Sequence, residues 1–453
     1  MNFKNKKQLY GWVIYDFANT IFSMNIITMY FAQWIILDNS KEDIWYSFAH
    51  AVSMFLVAIS MPVLGAISDS FGKRKPFLLI LTLGCVTGTI FIGIVSQNVS
   101  QVDLRIYLAL ALFIIANFSY EGGLVFYNAL LPEVSTPDNI GKVSGLGVGL
   151  GYLGAILGLL MVKPFVEGNF FGLELPSFLG GGREKAFIPT AMFFLLFSLP
   201  TFLWVKEKVK EKAKGVSLNI KNAFGKVWDG IAHTKKYPGV LRFLIADYFF
   251  EDAIATTIIF MAVYAQVVMG MGDELKIWFF IISTTSAVLG SFLCGFLTDS
   301  IGPKKTLFLV VLGWIFSLGI IMFTHNQTIY WITGSLIGIF LGSTWTASRP
   351  LLTSLAPKEM LGEFFGLYSL SGKAAAIVGP ILWGGAVLYF KKDNIFVQKI
   401  VSYLESCGVF FSERTLSTIQ YRFAVGIMVF LMILGLLIFI KVPDKFKKSR
   451  NTE

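Results

Sequence analysis

Twelve apolar runs, each long enough to cross a bilayer, follow one another along this chain with short polar breaks between them. They fall at approximately 10–37, 44–68, 77–97, 104–131, 141–166, 187–205, 239–269, 276–298, 305–324, 328–356, 362–390 and 421–442. A bilayer core is roughly 30 Å thick and takes about 20 apolar residues of helix to cross. Hydrocarbon offers backbone N–H and C=O groups no partner, so such runs fold as helices that satisfy themselves. Only 15% of the residues are charged, against roughly 25% in a soluble globular protein. The sequence therefore predicts an all-α membrane protein of twelve transmembrane helices. The net charge of +10 does not call for nucleic acid, because the cations sit in the breaks between spans and not on one soluble face. Lys4, Lys6 and Lys7 precede the first run, and no small-residue cleavage site follows it. That run reads as a retained span and not as a signal peptide.

The loops set the expected orientation. With the N-terminus inside, the inner segments and the span ends beside them hold 25 of the 38 Lys and Arg and the outer ones 11; Arg349 and Lys373 are the two that lie deeper within spans. Cationic loops stay on the cytoplasmic side, so both termini are expected in the cytoplasm, with the chain in the inner (cell) membrane. The longest internal polar stretch, 206–238, divides the chain into six-span halves, 1–205 and 239–453. The 391–420 loop on the opposite side has room for a short helix.

The halves echo each other. Gly65-Ala-Ile-Ser-Asp69-Ser-Phe-Gly72-Lys73-Arg74-Lys75 ends span 2, and Gly295-Phe-Leu-Thr-Asp299-Ser-Ile-Gly302-Pro303-Lys304-Lys305 ends span 8. Gly141, Gly145, Gly151 and Gly158 of span 5 recur in span 11 as Gly362, Gly366, Gly372 and Gly379, all at one offset of 221. Asp16 in span 1 has its counterpart in Asp247 of span 7. A six-span unit used twice is the plan of a secondary transporter, with a midplane site between repeats and alternating access by rocking. Each loop carboxylate can cap a neighbouring helix N-terminus, and the basic cluster can pair with inner acids or lipid phosphates.

The two loops resemble the signature loop of the major facilitator superfamily, and the resemblance extends over all twelve spans. It implies the major facilitator fold, two pseudo-symmetric six-helix bundles. It also implies that Asp69 docks at the start of span 11 near Gly362, and Asp299 at the start of span 5 near Gly141, as latches of one conformer. A narrower resemblance rests on Trp12-Val-Ile-Tyr15-Asp16-Phe17-Ala18-Asn19-Thr20, on Tyr127-Asn128-Ala-Leu-Leu-Pro132-Glu133, on the glycine-rich stretch from Lys142 to Gly154, and on Glu363 to Lys373. These words are similar to those of the bacterial relatives of the yeast vacuolar amino-acid effluxer. That implies an amino acid or similar small zwitterion as the transported solute. The chain departs from the family pattern at Trp345-Thr-Ala-Ser348-Arg349-Pro350 in span 10 and at Glu251-Asp252-Ala253 in span 7, where a solute is expected to bind.

Polar residues inside spans supply the candidate site. Asp16 and Asn19 share one face of span 1. Asn117, Glu121 and Asn128 share one face of span 4, and Asp247 and Glu251, with Asp252 beside them, lie in span 7. A charge facing lipid costs about 2.5–3.5 kcal/mol even on the gentlest scale, so these faces point to a cavity or a partner. The functional reading is a path for substrate and coupling ion; the plain one is structural pairing between helices. Glu121, near mid-depth, is the first candidate for a proton site, and the span 7 acids are the second. Lys373, near the midplane, suits a carboxylate-bearing substrate, whereas a permanent pair with a facing acid is the alternative for it and for Arg349.

Several signals are set aside. Gly149 to Gly154 fits G-x-G-x-x-G but lies inside an apolar helix with no strand before it, and Gly366 to Lys373 lacks the hydroxyl residue of a phosphate loop. The three cysteines and three histidines show no disulfide or metal-ligand spacing. The reading is thus a transporter and not an enzyme. It needs no cofactor, uses protons or sodium as coupling ion, sits among membrane lipids and works as a monomer. The rivals are a sodium-coupled sugar or glycoside symporter, and a lipid flippase or nutrient sensor on the same frame.

Overall fold

The computed structural model describes residues 6–71, 73–135, 140–170, 172–207, 220–357, 360–408 and 411–444. Among them, twelve helices of eighteen residues or more follow in chain order. The first six are α1 Lys6–Asp38, α2 Asp43–Phe71, α3 Lys75–Asn98, α4 Val102–Ala129, α5 Ile140–Glu167 and α6 Phe187–Trp204. The second six are α7 Pro238–Val267, α8 Asp273–Ile301, α9 Pro303–Phe323, α10 Gln327–Leu355, α11 Leu361–Tyr389 and α12 Ile419–Ile440. They coincide with the expected spans to within a few residues. Ten of them are both long and apolar enough to cross a membrane. The other two, α7 and α10, have 30 and 29 residues. They are less apolar because α7 carries Arg242, Asp247, Glu251 and Asp252, and α10 is rich in Ser and Thr. The protein is an all-α integral membrane protein, with its long helices in the order expected from the sequence.

Smaller elements join the spans. A two-stranded antiparallel hairpin pairs Asn169 with Glu174 and Phe170 with Leu173 between α5 and α6. A linker helix, Ile220–Thr234, precedes α7. The 391–420 loop holds two short helices, Ile395–Ser406 and Glu413–Ser417.

Helix ends are set by local chemistry. Asn326 caps α10, its side-chain oxygen accepting from the backbone N–H of Thr328 (2.8 Å) and Ile329 (3.2 Å), which satisfies two N–H groups that the first turn leaves without partners. Gly302 takes φ +92° between α8 and α9, a backbone state that glycine enters without the Cβ penalty. Pro303 follows at the first position of α9, where a missing N–H costs nothing.

The chain forms two compact units. The first comprises Met1–Ser40 and Val52–Asp229, the second Lys41–Ala51 and Gly230–Glu453. The first nine residues of α2 thus pack in the second unit. There Asp43, 2% exposed, accepts from the indole N–H of Trp383 (3.1 Å) and the hydroxyl of Tyr421 (3.0 Å). Lys391 pairs with Glu42 at 2.8 Å.

Candidate transport site

In the second unit, three carboxylates lie within six residues of α7. Asp247 is fully buried, and neither of its carboxylate oxygens has a hydrogen-bond partner among the described residues. Glu251 follows one turn later on the same face and is half-buried. It accepts a short hydrogen bond from the indole N–H of Trp345 in α10 (2.6 Å). Its nearest opposite charges are Lys373 and Arg349. Lys373 is half-buried and Arg349 exposed. Ser348 lies beside Asp247, and Tyr368 of α11 is close to Asp247, Glu251 and Arg349. The structure therefore brings together the α7 acids and both cations that the sequence singles out.

Asp252 serves a different purpose. It is 1% exposed and accepts from the backbone N–H of Gly379 at 2.7 Å. A Cβ at Gly379 would collide with the Thr256 hydroxyl and the Asp252 carboxylate. Glycine is what lets α7 and α11 touch here. Pro380 follows, and its missing N–H would otherwise serve the carbonyl of Ala376. His50, in the α2 segment of the same unit, hydrogen-bonds the Ala376 backbone.

In the first unit, the equivalent crossing is that of α1 with α5. Asp16 is half-buried and accepts from Asn19 Nδ2 at 3.2 Å. Thr20 donates to the carbonyl of Gly151 at 2.7 Å. A Cβ on Gly147 would stand 3.3 Å from Asp16 Oδ2. The glycine stripe of α5 is thus a packing surface. Trp12 donates to the carbonyl of Tyr127 (3.1 Å) and stacks on its ring at 4.6 Å. Tyr15 stacks on the same ring at 4.9 Å and shares a hydrogen bond with Thr82 (2.8 Å). The polar residues of α4 grade outward. Asn117 is buried and donates to Ser53 Oγ at 2.7 Å. Glu121 is half-buried and Asn128 exposed.

The repeated loops differ in how much is described. Gly72 lies outside the described residues, as do the side chains of Gly65, Asp69, Gly141 and Gly362, so the docking expected of Asp69 and Asp299 falls outside them too. Lys73 is exposed. Arg74 donates to the carbonyl of Ala129 at 2.5 Å and stands 4.0 Å from Glu133. The backbone N–H groups of Arg74 and Lys75 both donate to the Glu207 carboxylate (2.6 and 3.1 Å). A negative charge therefore does cap the N-terminus of α3, supplied by the segment after α6. In the second copy, Gly295 lies within α8, Asp299 is exposed, and Lys304 donates to the carbonyl of Ile440 at 3.2 Å.

The sequence marks Trp345 and Ser348 only as part of the departure at Trp345–Pro350 from the family pattern, and singles out neither Tyr368 nor Asp43. Asp43 sat one residue outside the expected second span.

The profile of the family described as "Vacuole effluxer Atg22 like" matches residues 135–389, more than half of the chain. The chain belongs to that family. The profile of the Major Facilitator Superfamily matches residues 2–159. An uncharacterized MFS-type transporter of Bacillus subtilis, YxiO, is 25% identical over 388 residues, covering 83% of this chain and 87% of that one. Autophagy-related protein 22 of Coccidioides immitis is 23% identical over 429 residues, with 76% and 68% covered. Among solved structures, a bacterial homolog of the human lysosomal transporter Spinster superposes with a TM-score of 0.69 at 14% identity, covering 96% and 95% of the two chains. The nucleoside transporter NupG does so with a TM-score of 0.67 at 14% identity, covering 99% and 100%. Such low identity establishes a shared fold. This Atg22-like protein is thus a transporter of the major facilitator superfamily.

Proposed function

We propose that this Atg22-like protein moves a small zwitterionic solute, an amino acid or close analogue, by proton-coupled alternating access, with the Asp247–Glu251 pair of α7 taking the coupling proton. The observation that carries this reading is the buried Asp247 carboxylate, which has no charged or well-formed hydrogen-bond partner among the described residues and only the Ser348 hydroxyl beside it, one turn from a second acid. Holding an uncompensated charge there costs several kcal/mol, and a bound proton removes the cost. Two carboxylates one turn apart titrate as a pair, so the proton belongs to both. Lys373 and Arg349 supply the other half of the logic. A solute carboxylate arriving at these cations competes with Glu251 for them, and a Glu251 deprived of its counter-charge is the better proton acceptor. Solute and proton thereby favour each other's binding, which is what coupling requires. Trp345 orients Glu251 toward this exchange. Glu121, half-buried on α4, is the alternative proton carrier within the first unit. The family's effluxer description supports transport of a vacuolar-type metabolite, and the excess of Lys and Arg in alternate loops supports cytoplasmic termini in the cell membrane. With both repeats in one chain, a monomer suffices.

The test is reconstitution into liposomes with parallel assays of pH-driven accumulation and of solute exchange without a gradient. Glu251→Gln is expected to lose accumulation and retain exchange. Accumulation by this variant under an imposed pH difference would remove Glu251 from the coupling step. Accumulation by the native protein driven by sodium with no pH difference would replace the proton by sodium.

A further inference from the structure

An open groove of about 410 Å³ lies in the second unit, where the linker helix meets α7 and α11. This is within the size range of small-molecule sites, roughly 300–1,000 Å³. Its apolar walls are Leu241, Ile245 and Phe249 of α7, Leu367 and Leu370 of α11, and Ile231 of the linker helix. Its polar lining consists of hydroxyls, and no lining residue is charged. A zwitterion would find no counter-charge there, whereas an alkyl chain would lose nothing by entering. At 1.5 Å per residue, the stretch of α7 from Pro238 to Phe249 rises about 17 Å. That is close to half of a hydrocarbon core of roughly 30 Å, the depth of one leaflet.

The chain on either side of the lining residues Ile231 and Thr234 has the opposite character. Lys235 and Lys236, both exposed, follow the last residue of the linker helix. On that helix, Trp228 is 72% exposed and Ile231 43% exposed. They are three residues apart and so share a face. An exposed tryptophan and an aliphatic side chain on one helix face, flanked by lysines, is the arrangement of a helix lying in a membrane–water interface. Lysines beside an apolar slot match an anionic headgroup above its acyl chain.

We propose that this groove binds one anionic phospholipid of the inner leaflet, its acyl chain between α7 and α11 and its headgroup at Lys235 and Lys236. The leaflet follows from the orientation that the loop cations indicate; the site is independent of the solute transported.

The experiment titrates the purified, delipidated full chain with phosphatidylglycerol or phosphatidylcholine and counts bound lipids by native mass spectrometry. One phosphatidylglycerol is expected to bind, and phosphatidylcholine roughly ten- to thirtyfold more weakly, the preference that two lysines near a headgroup supply. Replacing both lysines (Lys235→Gln with Lys236→Gln) is expected to erase the preference and leave phosphatidylcholine binding unchanged. Ser371→Trp, which fills the groove, is expected to lose both lipids. Ile231→Ser changes an exposed position, keeps the fold, and is expected to weaken both lipids severalfold. Equal binding of the two lipids by the native protein would overturn the proposal, as would tight phosphatidylglycerol binding that survives both groove variants. Displacement of the lipid by glycerol phosphate alone would also overturn it, by showing a site for the free phosphate group.

Discussion

The crossing of α1 with α5 and the crossing of α7 with α11 are the same joint built with different chemistry. Ile21 and Asn25 approach Gly158 in the first; Asp252 and Thr256 approach Gly379 in the second. The offsets are constant, 231 residues along α1 and α7, and 221 along α5 and α11. Near the inner ends, Trp12 and Gly147 correspond to Phe243 and Tyr368, which stack at 6.2 Å. The first joint is closed by backbone contacts and one neutral hydrogen bond, Thr20 to Gly151. The second places a carboxylate on a glycine N–H and adds two more acids on the same helix. Duplication preserved the geometry, but the first joint carries one acid, Asp16, against three on α7 in the second. Under the proposed coupling role of Asp247 and Glu251, the second bundle carries the titrating pair and the first serves as frame.

Three substitution pairs and one single substitution would break or sharpen that contrast. The largest difference is expected between Asp247→Asn and Asp16→Asn. The first should lower gradient-driven accumulation in liposomes by about 100-fold or more, because an acid in general acid–base work typically contributes that much. The second should cost only severalfold, since Asp16 is half-buried and held by Asn19. Equal losses would make the two bundles functionally symmetric.

Next comes the packing of the joints. Gly379→Ala drives a methyl group into Thr256 and Asp252, whereas Gly158→Ala meets atoms no closer than 3.2 Å. Overpacking of this kind costs about 1–3 kcal/mol. Thermal unfolding in detergent should show the upper end of that range for Gly379→Ala and the lower end for Gly158→Ala. A reversed order would mean that the second joint is the more compliant one.

The loops are expected to differ less. On the latch reading that the resemblance implies, Asp69→Asn and Asp299→Asn each remove a charge that favours one conformer, worth up to about 2 kcal/mol near a helix terminus. Counterflow should fall up to about tenfold in either variant with the unfolding temperature unchanged. Normal counterflow in both would end the latch role that the repeated loop implies.

The smallest effect belongs to the aromatic cluster of the first unit. Tyr15→Phe loses one hydrogen bond, to Thr82, and keeps its stacking on Tyr127. A loss of about 1 kcal/mol in stability is expected, with transport unchanged. A transport defect here would bring the first bundle into the chemistry.

What could be read from the sequence divides along the same line as the energetics. Helix positions were legible because length and apolarity in a bilayer leave the backbone no alternative, and even α7 and α10 were found despite their polar content. Acids inside spans were legible by residue type. Their partners were not. The Trp345–Glu251 and Gly379–Asp252 hydrogen bonds join residues 94 and 127 positions apart, a pairing fixed by helix packing and not by spacing. Asn117 was legible as a polar residue inside a span, but its amide's partner, Ser53 on another helix, is not revealed by sequence order. Asp43 was missed because a carboxylate at the edge of an apolar run reads as a boundary, whereas Trp383 and Tyr421 turn it into a buried anchor.

Pro380 gives α11 an unusual mechanical property. In an unbroken helix, bending means stretching backbone hydrogen bonds that nothing else replaces. Here one rung is already absent, and the carbonyl it leaves behind is served by His50, a side chain from another helix. Flexing α11 at this point therefore trades a side-chain contact worth about 1 kcal/mol rather than the integrity of the helix. Pro380 thus leaves one weakened turn in α11, directly beside the glycine that Asp252 holds.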